Sequence, residues 1–266
     1  GASEALFEFN KGLIDALYEI VPAVKPQAAY YEMYGYFGMR ALYKTISYAR
    51  EKGMFVITDG KRNDIGTTME AYATAHLGRT DIEGEMVKAF GADALTVNGY
   101  LGTDGIKPLI NVCRAEDCGI FVLVKTSNPS SGELQNLELD GDESVYLHMG
   151  KMCEEWGNEL SGKYGYSGVG AVVGATYPEQ LKELRMELPH TFFLVPGYGA
   201  QGGTAKDLEG AFDKSGLGAV VNSSRGIMCA WSKNGYKAED YALAARDEAK
   251  RMKEELVAVS GEIKLP

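Results

Sequence analysis

The 266-residue sequence predicts an α/β fold of the (β/α)8-barrel (TIM barrel) type. Its length lies close to the ~250 residues of a single barrel of this kind. Short apolar runs alternate with longer amphipathic ones, as in a parallel sheet covered by helices. Two glycine-rich loops follow the last two apolar runs, where such barrels commonly build anion sites. No linker or low-complexity tract divides the chain, so one catalytic domain spanning residues 1–266 is expected.

The chain opens with a helix-like stretch, Ala5–Ile20. Strands are expected at Ala23–Lys25, Met54–Asp59, Ala94–Asn98, Ile120–Lys125, Val169–Gly174, Phe192–Pro196 and Ala219–Ser223. Most are rich in Val, Ile, Leu or Phe with little polar alternation, which suits strands buried on both faces. Helices are expected at Tyr36–Glu51, Tyr146–Leu160, Pro178–Leu188 and Ala238–Val257, the last dense in helix-favouring Ala, Glu and Lys. That makes seven strands, one short of a closed barrel, with a helix before the first. The expectation is that the first barrel strand lies upstream and is missing from the numbered sequence; the alternative is an open seven-stranded sheet.

Composition narrows the function. The net charge is −10 and no Lys/Arg-rich run is present, so no nucleic-acid partner is expected. A small phosphorylated ligand needs only one or two local cations and some backbone N–H groups. Cys113, Cys118, Cys153 and Cys229 form no C-x-x-C pair and read as reduced, cytoplasmic thiols. His76, His148 and His190 lack metal-ligand spacing, so no metal site is expected. No secretory signal and no membrane-spanning apolar run is read, so no membrane partner is expected.

The segment Ile57-Thr58-Asp59-Gly60-Lys61-Arg62-Asn63-Asp64-Ile65-Gly66-Thr67-Thr68 leaves a buried strand and enters a loop. Asp59 and Lys61 are two apart, so an extended chain would point both to one side. With Asp64 they form a line of carboxylate, ammonium and carboxylate. In a desolvated pocket the two acids favour the ammonium form of Lys61. Such an array suits a reaction that expels an anion and protonates the carbanion left behind; the alternative is a surface salt-bridge cluster. Lys25 ends another apolar run and needs a partner there, unless it snorkels at the rim. Val124-Lys125-Thr126-Ser127-Asn128-Pro129-Ser130-Ser131-Gly132 carries hydroxyls and amides that fit the polar edge of a flat heterocycle, or an ordinary turn.

The two late loops are Pro196-Gly197-Tyr198-Gly199-Ala200-Gln201-Gly202-Gly203-Thr204 and Asn222-Ser223-Ser224-Arg225-Gly226. Glycines let backbone N–H groups approach an anion, Gln201 offers an amide, and Arg225 can pair with phosphate oxygens in bidentate fashion. Pro196 and Ser224 belong to the same loops and are counted with them as substrate-binding.

Taken in order, these segments resemble the orotidine 5′-monophosphate decarboxylases, in particular the longer bacterial branch, over essentially the whole chain. The most specific parts are Asp59–Gly66 and Pro196–Gly203. The resemblance implies a homodimeric enzyme without cofactor or metal that converts orotidine 5′-monophosphate to UMP in pyrimidine biosynthesis. It implies that Lys25, Asp59, Lys61 and Asp64 form the catalytic array, with Asp59 facing the substrate carboxylate and Lys61 protonating C6. It further implies that Lys25 bonds the ribose and Asp59, and that Asp64, Ile65 and Thr68 reach into the neighbouring subunit's site. Ser127 would read the pyrimidine edge, Asn98 would line the pocket, and Gln201 and Arg225 would hold the 5′-phosphate. The family's first strand normally ends in an Asp that touches the ribose, and nothing here matches it.

Two rivals remain at this point. One is a related Mg²⁺-dependent decarboxylase of a sugar-acid phosphate such as 3-keto-L-gulonate 6-phosphate, which carries a Glu where Lys25 stands. The other is a non-catalytic barrel that binds a nucleotide. The aromatic segment Tyr30-Tyr31-Glu32-Met33-Tyr34-Gly35-Tyr36-Phe37 is expected to pack, at a dimer interface, rather than to hold a base.

Overall fold

The computed structural model describes residues 1–266 apart from Asp142, Ala200, Gln201, Asn234 and Pro266. At its centre lie seven strands: β1 (Ala23–Val24), β2 (Phe55–Arg62), β3 (Ala94–Val97), β4 (Gly119–Lys125), β5 (Val169–Val173), β6 (Phe193–Pro196) and β7 (Ala219–Asn222). They are hydrogen-bonded in chain order, and every neighbouring pair is parallel. The ends agree with the sequence reading to within one residue, except that β2 continues to Arg62 where a loop was expected.

Helices Gly35–Glu51, Gly66–His76, Thr103–Glu116, Val145–Gly157 and Pro178–Glu187 fill the crossovers between strands. Gly66–His76 escaped the sequence reading because its buried stripe is only Met69, Ala73 and His76, at i, i+4 and i+7. The period-2 geometry of strands explains why the apolar runs show little polar alternation. Ile57, Ala94, Phe121, Val172 and Leu194 point to the inside of the curled sheet and form one cluster. Their neighbours Val56, Leu95, Val122, Ala171, Phe193 and Val195 point outward and join the larger cluster under the helices. Burying each such large side chain contributes roughly 1.5–3 kcal/mol, so both faces hold the strands in register.

The first helix, Ala2–Leu17, packs on the last, Tyr241–Ser260. Phe9 stacks on Tyr241 and the Arg246 guanidinium donates to the Ala16 carbonyl at 2.7 Å. β1 and β7 are the edges of the sheet, and the described residues contribute seven strands to it. An apolar cavity of about 400 Å³ opens at the start of the strands, lined by Pro22, Phe55, Ile57, Phe121, Phe192 and Val220. The four cysteines are free thiols. Among the described residues no helix is long and apolar enough to cross a membrane.

Candidate active site

Because all seven strands run the same way, their C-terminal ends form one rim, and the chemistry-bearing residues lie along it. Asp59 is the hub. Its residue is only 6% exposed, and its carboxylate accepts four hydrogen bonds. Oδ2 takes Lys25 Nζ at 2.5 Å and Gln27 Nε2 at 3.1 Å. Oδ1 takes Lys61 Nζ at 2.6 Å and Thr96 Oγ1 at 2.8 Å. A carboxylate has about four acceptor positions, so none is left over. Burial alone would raise the Asp59 pKa, but the charge and hydrogen bond of Lys25 and those of Lys61 outweigh it and hold the group below its ordinary value. Asp59 is therefore an anion at neutral pH, set between two amines.

The backbone fixes this hub from both sides. Asp59 N–H donates to the Pro26 carbonyl at 2.9 Å, and Ala28 N–H donates to the Asp59 carbonyl at 3.1 Å. Lys25 does not snorkel to solvent: its side chain is 12% exposed and bound to Asp59. Lys61 is different, since its side chain is 45% exposed.

Two expectations need correction. Asp59 and Lys61 do meet, but not through an extended chain. Lys61 has φ 49°, in the left-handed region, and the register of β2 on β3 slips between Thr58 and Arg62. The bulge turns Lys61 back over Asp59, and Lys61 N–H is held by Thr96 Oγ1 at 3.0 Å. Second, Lys61 does not stand between two carboxylates of one chain. Asp64 forms no ion pair among the described residues; its Oδ1 accepts the Ile65 N–H at 2.8 Å. Ile65 and Thr68 beside it are exposed, with Ile65 at 51%.

The other expected residues fall on the same rim. Asn98 follows β3, and its Oδ1 accepts the Tyr100 N–H at 2.9 Å. Ser127 follows β4; its carbonyl accepts Thr176 Oγ1 at 3.3 Å, and its backbone lies against Gly174, where an added Cβ would come within 2.9 Å of it. Pro196 ends β6 and accepts the Ala175 N–H at 2.9 Å. Ser224 and Arg225 open a short helix after β7, both exposed, and Arg225 has no ion-pair partner among the described residues. Gln201 lies outside the described residues. The loop around it turns through Gly197, Gly199 and Gly202, all with positive φ (100°, 72° and 97°), which glycine adopts without steric cost. Ser223 Oγ donates to the Tyr198 carbonyl at 3.3 Å and so ties the two late loops together.

Sequence reasoning missed Gln27 and Thr96. Each carried a signal: Thr96 is a polar residue inside the buried run Ala94–Val97, and Gln27 lies two beyond Lys25. Neither signal says which carboxylate it serves, because that depends on cross-strand pairing.

The aromatic segment is exposed rather than packed within the chain: Tyr30 is 70%, Tyr36 74% and Phe37 60% exposed, while Tyr31 is buried. It adjoins the array through an ion pair between Glu32 and Arg62. The Asp64 backbone in turn lies against Gly105, near Leu101. Ile65, next to Asp64, is 51% exposed and Leu101 43%.

Comparison with known proteins points one way. The sequence profile of the orotidine 5′-phosphate decarboxylase / HUMPS family matches residues 8–241. An orotidine 5′-phosphate decarboxylase of Rhodopirellula baltica is 50% identical over 241 residues, covering 91% of this chain and 77% of that protein. One of Caldicellulosiruptor saccharolyticus is 46% identical over 253 residues, covering 95% and 82%. Among solved structures, a Leishmania donovani OMP decarboxylase superposes with a TM-score of 0.78 at 32% identity, covering 97% of this chain and 88% of that one.

Proposed function

Since the chain belongs to the orotidine 5′-phosphate decarboxylase / HUMPS family, we propose that the Asp59-centred array is the machinery with which it converts orotidine 5′-monophosphate to UMP. The observation that carries this assignment is the buried Asp59 carboxylate bound at 2.5 Å by Lys25 and at 2.6 Å by Lys61.

The substrate's C6 carboxylate has no neighbouring electron sink. When the C6–carboxylate bond breaks, CO2 leaves and the electron pair stays on C6. The catalyst must lower this barrier by on the order of 20 kcal/mol. In the proposed site Asp59 faces the departing carboxylate, the Lys61 ammonium stabilises the pair on C6 and then transfers one proton to it, and solvent reprotonates the amine. Lys25 holds Asp59 and reaches the ribose. Ser127 reads the pyrimidine edge and Asn98 lines the pocket. Gln201 and Arg225 hold the phosphate, with Pro196 and Ser224 among the substrate-binding residues of the same loops, and its remote binding energy drives closure over C6. The groups named are the protein's own side chains; the proposal calls on no cofactor or metal.

The working unit in this proposal is a homodimer. Lys25, Asp59 and Lys61 together leave one uncompensated positive charge in each chain. Asp64 of a second copy would neutralise it, with Ile65 and Thr68 completing that site. The exposed Tyr30, Tyr36, Phe37 and Ile65 would form the contact. A cytoplasmic location belongs to the same proposal and rests on the four free thiols.

The test is loss of orotate-type absorbance on adding substrate, with and without EDTA. Lys61→Ala should abolish turnover while UMP still binds. Near-normal turnover would remove Lys61 from its role, and EDTA sensitivity would favour the Mg²⁺-dependent sugar-acid branch instead.

A further inference from the structure

Lys125, the last residue of β4, is completely buried, at 0% exposure, yet has no carboxylate partner among the described residues. Its Nζ donates to Ser131 Oγ at 3.1 Å and to Asn136 Oδ1 at 2.9 Å. The ring face of Tyr177 lies 4.4 Å from Nζ and that of Tyr146 5.8 Å. Burial pulls the Lys125 pKa down from its ordinary value. An ammonium removed from water without a counter-ion is costly, and two neutral oxygens and two aromatic faces offset only part of that cost. A leucine or methionine would fill such a place more cheaply.

The two acceptors show what the ammonium holds. Ser131 and Asn136 both belong to the loop that leaves β4 at Thr126 and carries Ser127 in its first turn. The loop is clasped again by Gln135, whose Oε1 accepts the Thr126 N–H at 2.9 Å and whose Nε2 donates to Thr126 Oγ1 at 2.8 Å. Tyr177 adds a hydroxyl contact to the Asn128 carbonyl at 3.4 Å. Lys125 thus ties the return of the loop to the strand end from which Ser127 departs. Its 0% exposure turns it toward the loop rather than toward solvent.

We propose that Lys125 is a positioning residue for nucleobase recognition: its ammonium fixes the Thr126–Asn136 loop so that Ser127 meets the pyrimidine edge. The inference rests on the functional reading above, in which Ser127 faces the base and Arg225 the phosphate.

The test separates base binding from phosphate binding in the intact protein. UMP and ribose 5-phosphate are titrated calorimetrically into the wild type, Lys125→Met and Asn136→Ala. Lys125→Met keeps length and removes charge; Asn136→Ala removes one exposed acceptor with little risk to folding. Both variants should bind ribose 5-phosphate within about twofold of wild type. UMP should weaken by about tenfold or more in Lys125→Met and about threefold in Asn136→Ala. KM for the nucleotide substrate should rise by similar factors while kcat falls less. An unchanged ratio of UMP to ribose 5-phosphate affinity in both variants overturns the role of Lys125. So does an equal loss of both ligands, which marks a general structural effect. A wild type that binds UMP no better than ribose 5-phosphate overturns the functional reading itself, and the inference with it.

Discussion

If the protein is the proposed homodimer, mixing Asp59→Ala and Asp64→Ala variants, each expected to be inactive alone, should restore about one quarter of wild-type activity, a figure that follows from which groups share a chain. Asp59 and Lys61 are 2.6 Å apart in one chain, so a lesion at Asp59 always disables the site of its own Lys61. Asp64 makes no ion pair with that lysine, and Ile65 next to it is 51% exposed. If Asp64 serves the partner's site, a hybrid dimer holds one site with both lesions and one with neither. Random exchange makes about half of the dimers hybrids, and half of their sites are then intact. If Asp64 served its own chain, both sites of every hybrid would be dead. The assay is the absorbance loss of substrate after exchange at low protein concentration, with hybrid formation checked by pull-down of a tagged subunit. Hybrids that form without any return of activity would refute the shared site.

Other perturbations test separate parts of the argument. Thr96→Val keeps shape but removes the hydroxyl that holds both Asp59 Oδ1 and Lys61 N–H; kcat should fall by about 10- to 100-fold in steady-state assays, and the two partners left unsatisfied should lower stability by about 1–3 kcal/mol, read from urea midpoints. Gly174→Ala would drive a Cβ to 2.9 Å from Ser127 and should raise KM more than it lowers kcat in steady-state assays. Burial, helped by nearby Arg62, holds His76 down at about 4 against its usual 6.5. A base with a depressed folded value contributes its full stability above 6.5 and loses it as the pH falls toward 4. The wild type should therefore lose up to roughly 3 kcal/mol across that window, read from urea midpoints. His76→Phe, placed to stack on Phe90 as His76 does, should flatten the difference.

The strands were legible because parallel strands buried on both faces write themselves as apolar runs. Their division into inner and outer layers was not, since Ile57 and Val56 look alike in sequence and differ only in which way the sheet curls. The proximity of Lys25, Asp59 and Lys61 was legible through their residue types, that of Asp64 to them was not, and a bulge rather than an extended strand brings Asp59 and Lys61 together. Gln27 and Thr96 stayed hidden because their partner lies on a neighbouring strand. The exposure of Tyr30, Tyr36 and Phe37 could not be read either, because an aromatic run has the same composition inside a core as on a surface. Lys125 reads in sequence only as the end of the strand Ile120–Lys125 running into a polar loop; its burial sets it apart.

The four-fold tethering of Asp59 has one more consequence. A carboxylate gripped at every lone pair cannot swivel to meet a guest, nor recruit water of its own. Its orientation is settled while the polypeptide collapses, long before any nucleotide arrives, so the ordering work is charged to folding rather than to each turnover. The ligand meets a fixed electrostatic template, and the motion that remains belongs to the loops around it.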